Sequence, residues 1–337
     1  GVPDQVEDRL WVYTGTNNTF PLTRFETARR WLTWLKRLNH RLYFGRIRAS
    51  LTCLPGERLI VWLNHPIQVG ALDGFSQRTL LCYDWTDNWT QFDWQPVDSH
   101  NDLIAWNDRM LREADLVFAV SHKLVSCAQA LNDCVHLAPN ATDMQVLGNA
   151  ATTEACAPEI AQLPRPVIGY VGQLIAERMD LDLIRSVAQA RPEWSFVFVG
   201  PVAPHCQQEF YGLAKIPNMH LLGQRAYAEL PSLMSGFDVC IMPHVVNELT
   251  QSMDPIKLYD YLAAGKPIVT TNVAGVERFS DVLHVAHTPS DFLNGLDMAW
   301  CQDGSMVERR LAYARDNTWP RRGQQMWEIV QSHLSIS

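Results

Sequence analysis

Long apolar runs are missing from this 337-residue chain: none would span a bilayer and none has the layout of a signal peptide. A soluble or peripheral protein of the cytoplasm is expected. Paired cysteines are missing too. The eight cysteines, at 53, 82, 127, 134, 156, 206, 240 and 301, form no C-x-x-C, and several lie in apolar runs such as VCIMP. They read as buried free thiols of a reducing compartment, so neither a disulfide framework nor a zinc site is expected. Charged residues make up only 19%, too few for a fibrous or coiled-coil chain, and a net charge of -8 argues against a general nucleic-acid binder. No short internal repeat or low-complexity segment occurs.

What is present is apolar material, 47% of the residues, in a chain whose length suits two globular domains. From residue 115 onward short apolar runs alternate with amphipathic stretches. DLVFAVS, HKLVSCAQAL and CVHLAPN come first, then PVIGYVG, LDLIRSVAQARP, SFVFVGP, HCQQEFYGLAKIP, MHLLG, YAELPSLMSGF, DVCIMP and PIVTTN. Continuous apolar runs alternating with helices of this length build parallel sheets covered on both faces. The first half repeats the grammar less completely, with RLWVYTG, a helical stretch from about 26 to 48, RLIVWLN, RTLLCYDW and HNDLIAWNDRMLREA. The expectation is an α/β chain of two Rossmann-like, doubly wound domains, 1–150 and 151–318, with a closing segment at 319–337. Ligands of such sheets bind beyond the carboxyl ends of the strands, in a cleft between the domains, with Asn140 as the hinge.

The stretch MDPIKLYDYLAAGKPIVTTN carries the chemistry. Asp254 is a suitable N-cap, Pro255 suits the first helical position, and Leu258, Tyr261 and Leu262 form an apolar stripe. Gly265 can adopt the left-handed conformation that stops the helix. The free N–H groups at such a helix start, with Lys257 in the same turn, form an anion site suited to phosphate. Asp260, three residues on, can accept hydrogen bonds from a sugar hydroxyl. The plain alternative is a surface ion pair on a well-capped helix.

Together these segments resemble the GT-B glycosyltransferases, in particular the family 4 group of retaining enzymes that use nucleotide sugars. EADLVFAVSHKL and HLAPNATD resemble the end of that family's acceptor domain. IGYVGQLIAERMDLDLI, NMHLLGQRAYAELPSLMSGFDVCIMP and PIKLYDYLAAGKPIVTT resemble its donor domain, and NTWPRRGQQMWEIV its closing helix, which crosses back to the first domain. YDWTDNW and GYVGQLIAERMD are most similar to exopolysaccharide and teichuronic-acid-type transferases. The resemblance implies transfer from a UDP- or GDP-type donor to a glycan or lipid-linked acceptor in cell-surface polysaccharide biosynthesis. Lys257 and Arg178 would hold the diphosphate and Asp260 the ribose. Gly172, Gln173, Arg225, Ser252, Met253 and Asp254 complete the donor side. Ser252 stands where the family has the first Glu of its Glu-x7-Glu motif. Asp84 and Asp87, placed just past a strand, would orient or deprotonate the acceptor hydroxyl, with a turn or capping role equally open. His65 has a similar address and a structural reading. No cofactor or required metal is implied. DLD at 180 to 182 opens a helix, and YDWTD at 83 to 87 follows a strand of the other domain.

Two features stand outside the motifs. Residues 24 to 48 carry eight arginines and lysines against one acid, Glu26, and an apolar face of Trp31, Trp34, Leu35, Leu38 and Leu42. That pattern fits contact with anionic membrane at its inner face, or packing on a sheet. Family members also open with a strand, glycine-rich loop and helix before anything like RLWVYTG. The first domain is therefore expected to lack that unit, through fragmentation or loss. A sugar-nucleotide epimerase of the same fold, or a degenerate nucleotide-sugar-binding protein, is the alternative function.

Overall fold

The computed structural model describes residues 4–7, 10–12, 59–75, 78–91, 100–151 and 156–336. The chain divides into two units, Gly1–Leu137 with Ile336–Ser337, and Ala138–Ser335. The basic stretch 24 to 48 lies outside the described residues.

In the first unit, Asp4–Glu7 (β1) and Leu10–Val12 (β2) pair antiparallel as a separate ribbon. This corrects the expectation that RLWVYTG supplies a strand of the parallel sheet. A partner three residues upstream needs only a short connection, whereas parallel pairing needs a long crossover. The parallel sheet of this unit runs Ile60–Leu63 (β3), Leu80–Trp85 (β4), Leu116–Ala119 (β5) and Val135–Leu137 (β6), in that order. Residues of β4 and β5 are almost all buried, so they read as unbroken apolar runs. The helix His100–Glu113 returns the chain between them, burying Leu103, Met110 and Leu111.

The second unit holds one six-stranded sheet. Its strands are Val167–Val171 (β7), Ser195–Val199 (β8), Met219–Gly223 (β9), Val239–Met242 (β10), Ile268–Thr271 (β11) and His284–Ala286 (β12). Their spatial order is β12-β11-β10-β7-β8-β9, and every pair is parallel. Strand order therefore reverses between β7 and β10, and the carboxyl ends of those two strands frame the switch point where such sheets bind ligands. The two-residue period of the strands separates two cores. Ile168, Tyr170, Phe196, Phe198 and Ile241 enter one, while Val167, Val197, Val199, Cys240 and Met242 enter the other. The helix Ile256–Ala263 belongs to the second core through Leu258, Tyr259, Tyr261 and Leu262. Its far end closes on Gly265 at φ 67, as its sequence suggests. Arg310, only 1% exposed, donates to the carbonyls of Gly265 and Val282 at 3.3 and 3.0 Å. A buried cation thus sits against the negative end of that helix.

Candidate active site

The loop after β7 begins at Gly172, whose φ of 143 is a backbone conformation that favours glycine. A Cβ there would stand 2.9 Å from Cε of Lys257. The backbone of this turn thus lies directly against the lysine of the helix Ile256–Ala263. Lys257 Nζ lies 5.1 Å from the Tyr170 ring centroid, within cation–π range, and Tyr261 accepts a 2.9 Å hydrogen bond from Val171 N–H. These contacts fix the helix start beside the end of β7.

Lys257 is half-buried, and its amine is pushed down to about 8 by burial and by the Arg178 charge, against the opposing pull of Asp260. The Arg178 charge is thus close enough to be felt at the Lys257 amine. Arg178 is also half-buried, one residue before Met179 bridges to His244 at the end of β10. Asp260 has its carboxyl pushed up to about 7, mainly by burial and also by Asp143, while Thr142 and Lys257 favour its ionised form. Thr142 Oγ1 donates to Asp260 Oδ1 at 2.8 Å. Lys257, Arg178, Asp260 and Gly172 are therefore brought together at the switch point. Gln173 is exposed in the same loop, its carbonyl accepting a 3.4 Å hydrogen bond from Tyr170.

Asp254 has another task. The residue flanking the helix is Pro255, at φ -75 and ψ 112, and Asp254 does not cap it. Its carboxylate, 5% exposed, instead accepts hydrogen bonds from Arg278, from Tyr259 at 2.8 Å and from the Asn140 N–H at 2.7 Å. Proline in the cap position leaves the preceding carboxylate free to turn inward, where a cation and two further donors compensate its burial. Asn140, expected as a hinge, is tied into the second unit by these bonds, and the division between units falls before it. Ser252 is fully buried with its hydroxyl donating to Glu248 C=O at 2.7 Å, and Met253 is 7% exposed. Both lie in the segment that leads into the helix. Arg225 pairs with Glu159 at 3.2 Å.

In the first unit, Asp84 lies within β4, not beyond it, and accepts a 3.2 Å hydrogen bond from the Trp62 indole. Burial raises its carboxyl above the usual range, against that hydrogen bond. Asp87 accepts from the Asn88 N–H at 2.9 Å in the turn that follows. His65 caps a short helix, its Nδ1 accepting from Ile67 N–H at 3.1 Å, with its ring 4.3 Å from that of Trp89.

Two residues of the site escaped sequence reasoning. His244 follows β10, is 1% exposed, and has no hydrogen bond on either ring nitrogen. Burial, then Lys257 and Arg178, hold it well below the usual imidazole range, so it is a neutral wall beside the two cations. The histidine directly after VCIMP was its only signal. Tyr227, 48% exposed, is close enough to Asp260 and Asp143 that their charges add to burial in raising its hydroxyl to about 12. It lies in the turn after β9, where nothing in the local pattern marks a binding residue.

Residues 165–297, which span all of these donor-side groups from Gly172 to Arg278, match the family model of glycosyl transferases group 1. The chain is a glycosyltransferase of the GT-B fold. A Bacillus subtilis (strain 168) protein assigned to teichuronic acid biosynthesis as glycosyltransferase TuaH is 25% identical to it over 284 residues, covering 78% of this chain and 70% of that protein. Anabaena HepE, solved in complex with UDP and glucose, superposes with a TM-score of 0.64 at 18% identity, over 81% of this chain and 77% of that one. Sucrose-phosphate synthase from Thermosynechococcus elongatus gives a TM-score of 0.68 at 15% identity, over 91% and 80% of the two chains. In this glycosyltransferase the matched segment ends inside the helix Pro289–Trp300, so it includes the whole six-stranded sheet.

Proposed function

We propose that the glycosyltransferase moves a sugar from a nucleoside diphosphate sugar to a glycan or lipid-linked acceptor in cell-surface polysaccharide biosynthesis, with retention at the transferred carbon. The convergence of Lys257 and Arg178 on the glycine turn at the switch point carries this reading. Two neighbouring cations beside a glycine turn fit a diphosphate, and they would stabilise the charge that grows on it as the glycosidic bond breaks. Charge from the protein itself makes transfer without a metal part of the proposal. Asp260 keeps one carboxylate oxygen for Thr142 and offers the other to a ribose diol. Tyr227 supplies an exposed ring beside it for the base.

The HepE complexes with UDP and with UDP-glucose support a UDP-type donor as the first to test, with GDP second. The naming of the Bacillus subtilis relative supports the polysaccharide role. On the acceptor side, Asp84 at the carboxyl end of β4 is the group to orient or deprotonate the attacking hydroxyl. Peripheral contact with anionic membrane through residues 24 to 48 belongs to the same proposal. Liposome binding that falls with added salt, and is lost when Arg29, Arg30, Arg37 and Arg41 become glutamine, would support that contact.

The test of the donor reading is a titration of UDP, GDP and their sugar conjugates, followed by product analysis in the presence of EDTA. Binding of a nucleotide sugar, with sugar transfer that survives EDTA, is the expected result. Absence of binding by every nucleotide would overturn the reading.

A further inference from the structure

Sequence reasoning found no metal motif, because no cysteine pairs with another at ligand spacing. The fold nevertheless gathers a mixed set of ligands from two loops of the second unit. Glu177 lies on the loop after β7, and His205 and Cys206 lie in the turn after β8. Their ligand atoms all fall within 4.8 Å of one another, the one such cluster of three among the described residues. His205 Nε2 is 2.9 Å from Glu177 Oε1, and Cys206 Sγ is 3.6 Å from Glu177 Oε2.

The two loops are held in register independently of these side chains. Leu174 N–H donates to Pro201 C=O at 2.9 Å, and Ala203 N–H donates to Leu174 C=O at 3.0 Å. Ala176 N–H reaches the Cys206 sulfur at 3.3 Å, a contact that favours the thiolate. Ligand positions set by backbone pairing need little rearrangement to close on an ion. Exposure is divided in a useful way. Cys206 is 2% exposed, while the side chains of His205 and Glu177 keep 44% and 50% of their surface, leaving an entry path and a position for water. One thiolate, one imidazole and one carboxylate form a borderline-soft donor set suited to tetrahedral zinc-class ions, and not to magnesium or calcium.

We propose that Glu177, His205 and Cys206 form a binding site for a zinc-class divalent cation, with water in the fourth position. The ion replaces the protons through which the carboxylate holds the thiol and the imidazole. The Cys206 thiol gives up its proton to solvent as the ion binds. The site stands beside Arg178 in sequence but takes no ligand from the donor site, and it is independent of the donor reading.

The test uses the full chain, stripped with chelator and titrated with Co²⁺ and then Zn²⁺. The expected result is one Co²⁺ per chain, with the intense near-ultraviolet band of a cobalt–thiolate bond, displaced by Zn²⁺. Cys206→Ser abolishes the band, and His205→Ala, at an exposed position that does not threaten folding, weakens uptake at least about tenfold. Cys127→Ser and Cys301→Ser, which remove the two exposed free thiols among the described residues, leave it unchanged. No band in the unaltered chain, or a band of equal strength in His205→Ala and Cys206→Ser, would overturn the proposal. Because UDP titration of the same variants is a separate readout, failure of this site and failure of the donor site are told apart.

Discussion

Thr142 donates its hydroxyl to Oδ1 of Asp260 at 2.8 Å, and no other hydrogen bond to that carboxylate occurs among the described residues. One oxygen is thereby fixed and the other is offered. The arrangement depends on the segment after β6, since the neighbouring Thr142 N–H donates to the Asn317 carbonyl at 3.0 Å and holds it in place.

Asp260→Asn keeps the size of the side chain and removes the charged acceptor. Nucleotides are expected to bind about tenfold more weakly, in line with about 1.5 kcal/mol for a hydrogen bond to a charged group, while pyrophosphate is unaffected. Calorimetric titration of both ligands measures this. Equal losses would place Asp260 in support of the helix instead of in contact with the ribose.

The affinity for a nucleotide sugar should have a narrow pH optimum. Asp260 gives up its proton at about 7 and Lys257 at about 8. Below 7 the protonated carboxyl no longer accepts from the diol, so affinity rises as pH climbs through that value. Above 8 the neutral amine no longer attracts the diphosphate, so affinity falls. In Asp260→Asn the lower limb should vanish while the upper one stays. A flat profile from pH 6 to 9 would contradict both assignments.

Tyr227→Ala removes the exposed ring beside Asp260. A loss of about 1 kcal/mol or more is expected for nucleotide, as for stacking of a base on an aromatic side chain, and none for pyrophosphate. A competition assay with the two ligands reads the difference.

Arg278→Ala leaves the Asp254 carboxylate buried without its cation. Removal of one partner of such a pair costs about 3 kcal/mol, at the low end of the usual range because Tyr259 and Asn140 still donate to it. Urea denaturation followed by circular dichroism measures the loss. Stability equal to that of the unaltered chain would mean that the network at the helix start is not a structural keystone.

The fold was legible where apolar runs are long and regularly spaced. SFVFV and VCIM are buried along their whole length, and VIGYV along all but its last residue, so they could be read as strands of a two-faced sheet. The ribbon of Asp4–Glu7 with Leu10–Val12 was not, because nothing in a three-residue apolar run says whether its partner is local or distant. The strand His284–Ala286 is equally short and carries a histidine, so it escaped the pattern. At the site, Lys257 and Asp260 could be placed because both lie on one helix with fixed spacing. Asp254 was assigned a local cap and proved to hold Arg278, 24 residues away, a contact that only tertiary packing creates. His244 and Tyr227 reach the site through the ends of other strands, and no spacing within the sequence records that.

The central claim is that Lys257 and Arg178 hold the diphosphate of a nucleotide donor, and titration of UDP into the unaltered chain, Lys257→Ala and Arg178→Ala tests it most directly. Each variant should lose about 1.5 to 3 kcal/mol of binding, roughly tenfold to 150-fold in Kd, with its circular dichroism spectrum unchanged. A Kd that is the same in all three proteins would contradict the claim.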